Sequence, residues 1–231
     1  MSSCEIAGAT RKYAVLINGD SWNRYTENLW LAHKVLAQNG YREENIHIFD
    51  CAGKQDKSYP VQGPAIFSAI ENQFVALSRI ITPQDHLFVY TTDHGDLRNI
   101  RDKNGNEIEV STVRLAEGRI NEIEMARLVE NIRPKIGIFL FDQCYSGGFA
   151  QRLAGPGRIT IAACSARQPS KGRSFPESFF GAFLKNRGDN NDDGQVSIQE
   201  AFSYALENDR YASSGEQSPM MLCHIKDETF L

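Results

Sequence analysis

Short apolar segments alternate with amphipathic segments along most of this chain, and the alternation constrains the fold more than any other feature. The apolar segments, which read as strands, are 13–19, 45–51, 85–92, 135–142 and 158–164. The helical segments between them, with apolar residues three and four positions apart, are 26–40, 64–80 and 121–132. Strands that alternate with helices in this way predict a mostly parallel sheet covered by helices on both faces. The sequence therefore predicts an α/β sandwich.

The rest of the chain adds insertions to this pattern without dividing it. The Asn104-Gly105 pair within 98–113 predicts a hairpin beside the third strand. Beyond the fifth strand we expect a helix over about 176–187, an acid-rich loop, another helix and a last strand near 219–225. The chain has 231 residues and neither a repeat nor a linker, so the sequence predicts a single domain over 1–231 with a sheet of about six strands.

Charge excludes two classes of partner. The chain carries 25 basic and 29 acidic side chains, a net charge of −4, and its lysines and arginines form no cluster along the sequence. Nucleic acids and anionic membranes bind proteins through concentrated positive charge. We therefore expect no nucleic-acid partner and no membrane partner.

The cysteines indicate the compartment. They are five in number, widely spaced and without a CxxC pair. Such a pattern favours neither a disulfide framework nor a zinc site, and it is typical of a reducing compartment. No stretch approaches the roughly 18 consecutive apolar residues that a membrane-spanning helix needs. We expect a soluble protein of the cytoplasm.

Two of the predicted strands end in side chains that carry chemistry. The third strand ends in VYTTDHGD, which contains His94 and Gly95, and the fourth ends in FDQCYSGG, which contains Cys144. The carboxyl ends of parallel strands share one edge of a sheet, so we expect the imidazole and the thiol near each other. A thiol attacks as a thiolate when a base takes its proton, and a glycine amide can closely approach a developing oxyanion. The two strand ends predict a cysteine nucleophile.

Packing is the competing explanation for residues of these types. A cysteine on a buried strand is usually a small apolar residue, and we interpret Cys51, Cys164 and Cys223 in this way. His94 and Cys144 differ because both stand at strand ends that are followed by glycines. Their separation of 50 residues matches the spacing typical of caspases, although the local caspase pattern around the cysteine is absent.

These motifs carry a resemblance to a known family. DHLFVYTTDHGD, FDQCYSGG and ITIAACSARQPSKG, together with YAVLINGDSWNRYTEN, resemble the legumain-like branch of the caspase-fold cysteine peptidases, which includes the catalytic subunit of the GPI transamidase. The likeness runs from about residue 12 to about residue 185. It implies a caspase-like three-layer sandwich and an endopeptidase, acting on protein or peptide substrates, with His94 and Cys144 as the catalytic dyad. It also implies that the amides of Gly95 and Cys144 hold the oxyanion.

The resemblance further implies a pocket for the residue before the scissile bond. In legumain-like enzymes this pocket combines an arginine after the first strand with acidic groups near the cysteine, which indicates Arg24, Asp142 and Glu177 in this chain. Ser165 begins the polar segment 165–178, which we expect to form the pocket wall. An arginine and a carboxylate together suit a side-chain amide, whose oxygen accepts and whose NH2 donates. We expect cleavage after Asn or Asp.

Other functions remain open for the same residues. The Asp-Gln-Cys-Tyr-Ser-Gly segment around Cys144 is also similar to metacaspases, which cut after Arg or Lys, and legumain has Glu where this chain has Asp142. A transpeptidase or ligase would use the same thioester, and a silent scaffold would keep the fold without the activity. Trp22 stands where the family often has an Asn that orients the histidine, which leaves a third catalytic residue unassigned.

An acid-rich loop over 189–200 fits the calcium-binding loop of EF-hands. DNNDDGQVSIQE matches the pattern D-x-[DN]-x-[DN]-G-x5-E in full. The expected ligands are Asp189, Asn191, Asp193, the carbonyl of Gln195, Ser197 and Glu200. Ser197 and Glu200 also fit a helix capping box, which is the simpler alternative. We expect a structural or activating Ca²⁺ and no cofactor for the chemistry itself.

Overall fold

A mostly parallel sheet forms the centre of the molecule. A computed structural model of the protein describes residues 10–51, 53 and 59–231. The strands are β1 (Lys12–Asn18), β2 (Ile46–Asp50), β3 (His86–Thr92), β4 (Gly95–Arg101), β5 (Glu107–Arg114), β6 (Arg119–Asn121), β7 (Ile136–Phe141), β8 (Arg158–Ala162) and β9 (Met220–Cys223). Six of them form the central sheet, in the order β2-β1-β3-β7-β8-β9. Its neighbours pair in parallel except β8 and β9, so the predicted sheet is confirmed.

Helices cover both faces of this sheet. The helices are α1 (Asn23–Gln38), α2 (Phe67–Ile80), α3 (Glu122–Val129), α4 (Gly147–Leu153), α5 (Ser174–Phe183), α6 (Ile198–Asn208) and α7 (Arg210–Ser213). Buried apolar residues of α1, α5 and α6 pack on one face, and those of α2, α3 and α4 pack on the other. This arrangement is compatible with a three-layer sandwich. Among the described residues, no helix is both long and apolar enough to cross a membrane.

The two-sided burial explains why the strands read as continuous apolar runs. In β1, Ala14 and Leu16 belong to one buried cluster, whereas Val15 and Ile17 belong to the other. Successive residues of a strand point to opposite faces, so a strand buried on both faces has no polar alternation.

The insertion after the third strand is a hairpin, as predicted. β4 and β5 pair antiparallel, and Gly105 in the turn has a φ of +84°, which suits glycine. The hairpin does not extend the central sheet, because β6 pairs with β5 and completes a separate three-stranded sheet. Since β4 begins at Gly95, the hairpin starts directly beside His94.

The end of the chain follows the predicted order of elements with one shift. The predicted helix over about 176–187 is α5, which begins at Ser174 and ends at Phe183. Lys185 and Asn186 have φ values of +57° and +53°, and a left-handed backbone cannot continue an α-helix. The predicted last strand is β9.

The cysteines of the described residues are all free, in agreement with the absence of a disulfide framework. Cys164 is buried, as the packing interpretation predicts. Cys223 is exposed and Cys51 is half-buried, so that interpretation is wrong for Cys223. Cys4 lies outside the described residues.

Candidate active site

The register of two adjacent strands places His94 and Cys144 together. β3 and β7 pair in parallel up to Thr91, which lies opposite Phe141. His94 and Cys144 each follow their paired residue by three positions, so the two segments leave the sheet at the same edge. Both residues line one small pocket there. The fold thus brings together the thiol and the imidazole that the strand ends predicted.

Glycines let the chain segments at this edge approach each other. A Cβ atom added to Gly95 would overlap the carbonyl oxygen of Cys144 and lie 2.9 Å from the carbonyl oxygen of Thr112. A Cβ atom on Gly147 would lie 2.7 Å from the carbonyl carbon of Ser165. Any larger residue at either position would displace backbone. Gly95 therefore packs directly against the cysteine, at the place where an oxyanion-binding amide is expected.

His94 lies among side chains that favour its neutral form. Its ring makes edge contacts with Trp22 and Tyr25, with centroid distances of 5.4 and 5.6 Å. Burial lowers the pKa of His94 below its usual value, and the charge of Arg24 lowers it further. A neutral imidazole at physiological pH can accept the proton of a thiol. Trp22, at the position of the expected Asn, supports the ring by packing.

The thiol of Cys144 lies beneath the backbone of Ser170. The amide of Ser170 donates to Sγ at 3.3 Å, and Sγ lies 3.8 Å from the carbonyl oxygen of the same residue. Cys164 has a different environment: burial raises the pKa of its thiol to about 11, against the effect of hydrogen bonds with Ser146. Of the two thiols, Cys144 is the one that reaches the pocket.

Asp142 presents its two oxygens to different surroundings. Oδ2 accepts hydrogen bonds from Thr92 Oγ1 at 2.8 Å, Asn28 Nδ2 at 3.2 Å and the hydroxyl of Tyr90 at 3.3 Å. Oδ1 is buried and has no partner among the described residues. Burial raises the pKa of Asp142 to about 7, although these hydrogen bonds and Arg24 oppose the shift. One oxygen is therefore fixed by the protein, and the other keeps its acceptor capacity unused.

Arg24 supplies the matching donor. Its guanidinium stacks on the rings of Tyr25 and Trp22, at 4.3 and 5.6 Å from their centroids, and Nη2 donates to the hydroxyl of Tyr25. Nε is buried without a partner in the described part of the protein. A buried donor that lacks a partner costs free energy, so a ligand that accepts from Nε gains that energy on binding.

The pocket that these residues share is narrow. It encloses about 270 Å³, open solvent included, and its lining is Arg24, Tyr25, Asn28, Asp93, His94, Asp142, Cys144, Ser170, Gly172 and Arg173. Of the predicted pocket residues, Arg24 and Asp142 are in this lining. Glu177 and Ser165 are not: Glu177 lies on α5 and forms an ion pair with Arg173 at 2.8 Å, and Ser165 lies against Gly147.

Sequence reasoning missed several residues of the lining. Asn28 follows Arg24 by four positions on α1, and that spacing places both on one face of the helix. The signal was a polar residue at a buried helical position, which points to a hydrogen-bonded role. Ser170 and Gly172 carried no such signal, because their positions depend on how the segment after β8 folds over the cysteine.

Two further acids lie beside the histidine. Asp93 accepts a hydrogen bond from the backbone amide of His94, and burial raises the pKa of Asp93 to about 7. Asp20 is paired with Arg114 at 3.5 Å. One ligand-type atom from each of Asp20, Asp93 and His94 lies within 4.8 Å of the other two. Asp20, which sequence reasoning did not select, is thus a second acid close to the imidazole.

The acid-rich loop folds its carboxylates onto its own backbone. The carboxylate of Asp189 accepts hydrogen bonds from the backbone amides of Asp193 and Gly194, at 3.2 and 2.9 Å. The carboxylate of Glu200 accepts a hydrogen bond from the backbone amide of Ser197 at 2.9 Å. Ser197 and Glu200 together form a capping box at the start of α6. The simpler alternative is therefore present.

The same loop still has the donor chemistry of a calcium site. Carboxylate and carbonyl oxygens suit Ca²⁺, and each carboxylate keeps lone pairs beyond its present hydrogen bonds. The carboxylates of Asp189, Asp193 and Glu200 do not converge within 4.8 Å in the described part of the chain. Calcium binding through Asp189, Asn191, Asp193, Gln195 and Glu200 stays a prediction.

Comparison with known proteins adds no family assignment. No protein-family model matches the chain, and no curated protein matches it. The functional conclusion therefore depends on the geometry of the pocket.

Proposed function

We propose that this protein is a cysteine endopeptidase of the legumain-like type, with a caspase-like fold, that cleaves peptides after Asn or Asp. One observation carries the proposal: four residues that line the pocket of the thiol and the imidazole have a buried polar atom without a partner among the described residues, and two of these atoms form a complementary donor and acceptor. Arg24 Nε is the donor and Asp142 Oδ1 is the acceptor, and the other two atoms are Asp93 Oδ2 and Ser170 Oγ. The side-chain amide of Asn satisfies both Arg24 Nε and Asp142 Oδ1, because its oxygen accepts and its NH2 donates.

The first half of the reaction forms a thioester. His94 takes the proton of the Cys144 thiol, and the thiolate attacks the carbonyl carbon of the residue whose side chain fills the pocket. As the C–S bond forms, the carbonyl oxygen takes the electron pair and the amides of Gly95 and Cys144 bind the oxyanion. His94 then gives its proton to the leaving amine, and the C–N bond breaks.

The second half releases the product. Water loses a proton to His94 and attacks the thioester, and the Cys144 sulfur leaves and regains its proton. An amine in place of water would form a new peptide bond from the same intermediate. Product analysis with an added amine nucleophile separates the peptidase from a transpeptidase or ligase.

The charges of the pocket favour Asn, rather than Arg or Lys, as the substrate residue before the scissile bond. A cationic substrate side chain would meet Arg24, whose charge is not cancelled by an ion pair among the described residues. Asp142 could attract such a cation, but its raised pKa of about 7 leaves it partly protonated at neutral pH. An Asp side chain fits the same pair of groups when Asp142 is protonated and donates.

The test is hydrolysis of matched, internally quenched peptides that differ only in having Asn, Asp or Arg at the scissile residue. Cys144→Ala is the blank, and Cys223→Ala, which removes an exposed thiol, is the matched control. We expect cleavage after Asn and Asp that Cys144→Ala abolishes and Cys223→Ala retains. Cleavage after Arg alone would keep the cysteine peptidase and refute the assigned preference. If the wild-type protein cleaves none of the peptides, the silent scaffold becomes the better interpretation.

A further inference from the structure

A second and wider groove continues from the thiol pocket. Its lining is Arg24, Lys171, Gly172, Arg173, Ser174, Glu177, Arg210 and Tyr211. It shares Arg24, Gly172 and Arg173 with the thiol pocket, so the two lie next to each other. The groove encloses about 830 Å³, against about 270 Å³ for the thiol pocket, both with open solvent included. A peptide that places one side chain beside Cys144 has room to place a neighbouring side chain here.

The groove carries an excess of positive charge. Its lining has four cationic side chains and one carboxylate, that of Glu177. Arg173 is already paired, with Glu177 at 2.8 Å and with Glu27. Arg24, Lys171 and Arg210 form no ion pair with any carboxylate of the described residues. The whole chain has a net charge of −4, so this local excess runs against the overall balance.

Two buried side chains, Gln217 and Asp209, order the backbone at Lys171 and next to Arg210. Gln217 and Asp209 are both buried, and the side-chain amide of Gln217 donates to Asp209 Oδ2 at 3.0 Å. The side-chain oxygen of Gln217 accepts a hydrogen bond from the backbone N–H of Lys171 at 2.5 Å. Asp209 directly precedes Arg210, whose guanidinium lies over the ring of Tyr211 at 4.5 Å from its centroid. The protein thus orders both backbones while the charged ends stay exposed.

Unpaired cations held close together repel each other, and an anionic ligand relieves that repulsion. Given the proposed peptidase activity, on which this inference depends, we infer that the groove binds a carboxylate side chain of the substrate. Lys171 and Arg210 are the specificity-determining residues. A peptide in extended conformation advances about 3.3 Å per residue. The groove shares three lining residues with the thiol pocket, so we place the acidic residue near the residue that enters that pocket and test the positions on either side of it.

The first experiment measures binding without turnover. Each fluorescein-labelled peptide has a central Asn and a single Glu or Gln at one of the three positions on either side of it. The affinity of each peptide for the Cys144→Ala protein is measured by fluorescence anisotropy. We expect Glu to bind at least about threefold more tightly than Gln at one position, as exposed ion pairs allow. The difference should shrink at high salt, because exposed charges are screened.

Charge-removing variants of the groove locate the effect. Lys171→Gln and Arg210→Gln, each in the Cys144→Ala background, should reduce the Glu-to-Gln affinity ratio towards one. Lys103→Gln at the tip of the β4–β5 hairpin is the matched control and should retain the full ratio. Equal affinity of the Glu and Gln peptides at every position overturns the inference, as does a ratio that both groove variants leave unchanged.

Hydrolysis of the same peptides by the wild-type protein separates this inference from the proposed function. Cleavage of the Asn peptides without any preference for Glu, in binding or in kcat/KM, refutes carboxylate binding by the groove and leaves the proposed peptidase activity supported. A Glu preference in binding without any cleavage supports the groove and refutes the peptidase.

Discussion

The side-chain amide of Asn28 lies 3.2 Å from Oδ2 of Asp142 and ties helix α1 to the end of strand β7. The hydroxyls of Tyr90 and Thr92 donate to the same oxygen, at 3.3 and 2.8 Å. Three donors on one carboxylate oxygen fix the orientation of the group. The other oxygen, Oδ1, is left without a partner among the described residues, and we propose it as the acceptor for the substrate side chain.

Asp142→Asn should reduce cleavage after Asn. The amide oxygen of the new residue can accept the three donors that hold Asp142, and its NH2 then faces the pocket as a donor against the NH2 of the substrate. Loss of a hydrogen bond to a charged group corresponds to roughly a 10- to 100-fold decrease in kcat/KM. Asp227→Asn, on an exposed residue, is the control and should behave like the wild-type protein. Unchanged activity of Asp142→Asn would contradict the assigned acceptor.

The preference between Asn and Asp substrates should change with pH. Asp142 has a pKa of about 7, so its free oxygen is mostly an acceptor above that pH and mostly protonated below it. The acceptor form suits an Asn amide, whereas the protonated form can donate to an Asp carboxylate and avoids repelling it. The ratio of kcat/KM for Asn over Asp peptides should therefore rise between about pH 5.5 and about pH 8.5. A ratio that is constant over this range would exclude Asp142 as the titrating group.

The same carboxyl should make stability depend on pH. Its folded-state pKa of about 7 lies above the unfolded value of about 3.9, so between these pH values the folded state binds more protons. The contribution of this carboxyl to the free energy of unfolding is therefore greatest at low pH and decreases as the pH rises towards 7. Asp142→Asn removes the titration. The melting temperature of this variant, relative to the wild-type value, should increase from pH 5 to pH 8.

Arg24→Gln should convert the substrate preference. The substitution removes a cation that repels Arg or Lys side chains. Because the charge of Arg24 also lowers the pKa of Asp142, activity is measured at alkaline pH, which favours the ionised carboxylate. We expect kcat/KM for the Asn peptide to fall roughly 10-fold or more, since a hydrogen bond from a charged donor is lost. Cleavage after Arg should become measurable. Arg79→Gln, on an exposed residue of α2, is the control. Retained selectivity for Asn in Arg24→Gln would show that Arg24 is a surface residue without a role in the pocket.

Gln217→Ala should expose the thiol of Cys144. Gln217 holds the amide of Lys171, and the neighbouring Ser170 covers Sγ with its backbone. Without this hydrogen bond the segment over the thiol is less restrained, so Cys144 should react faster with iodoacetamide, as measured by mass spectrometry of its peptide. Gln84→Ala, on an exposed turn, is the control. Equal alkylation rates in both variants would show that Gln217 does not hold the cover in place.

Calcium should stabilise the wild-type protein if the acid-rich loop binds it. A ligand that binds the folded state alone raises the melting temperature in proportion to the logarithm of its concentration above Kd. Asp193→Ala removes an expected ligand oxygen and leaves the capping box of Ser197 and Glu200 intact, so it should abolish the shift. Asp192→Ala, the matched control, alters the same loop at a position that the pattern does not use. A melting temperature that is equal in calcium and in chelator would reject the site.

Much of the central sheet could be predicted, because its signal is local. Strands such as 13–19 and 135–142 are apolar on both faces and stand between amphipathic helices, which restricts them to a buried parallel sheet. The same argument placed His94 and Cys144 at one edge. The ends of the elements were harder to predict. Helix α5 ends just before Lys185 and Asn186 adopt a left-handed backbone conformation, and no local sequence pattern predicts that conformation.

The surroundings of the pocket could not be predicted in the same way. Asn28 on α1 and the hydroxyls of Tyr90 and Thr92 on β3 meet at Asp142, and only the packing of α1 against the sheet brings Asn28 there. Glu177 was expected in the pocket but lies in the neighbouring groove, because helix α5 begins after the segment that covers the thiol.

The sequence by itself determined the class of fold and the strand ends that carry the thiol and the imidazole, since periodicity and residue chemistry are properties of short segments. The cation and the carboxylate of the pocket were indicated by the family resemblance of the sequence. The tertiary structure decided which oxygen of Asp142 is free, what covers Cys144, and where the positive charges gather. Lys171 and Arg210 are 39 positions apart and form no cluster along the chain, yet they line one groove because Gln217 and Asp209 join their segments. Electrostatic attraction depends on distance in space, which only folding fixes.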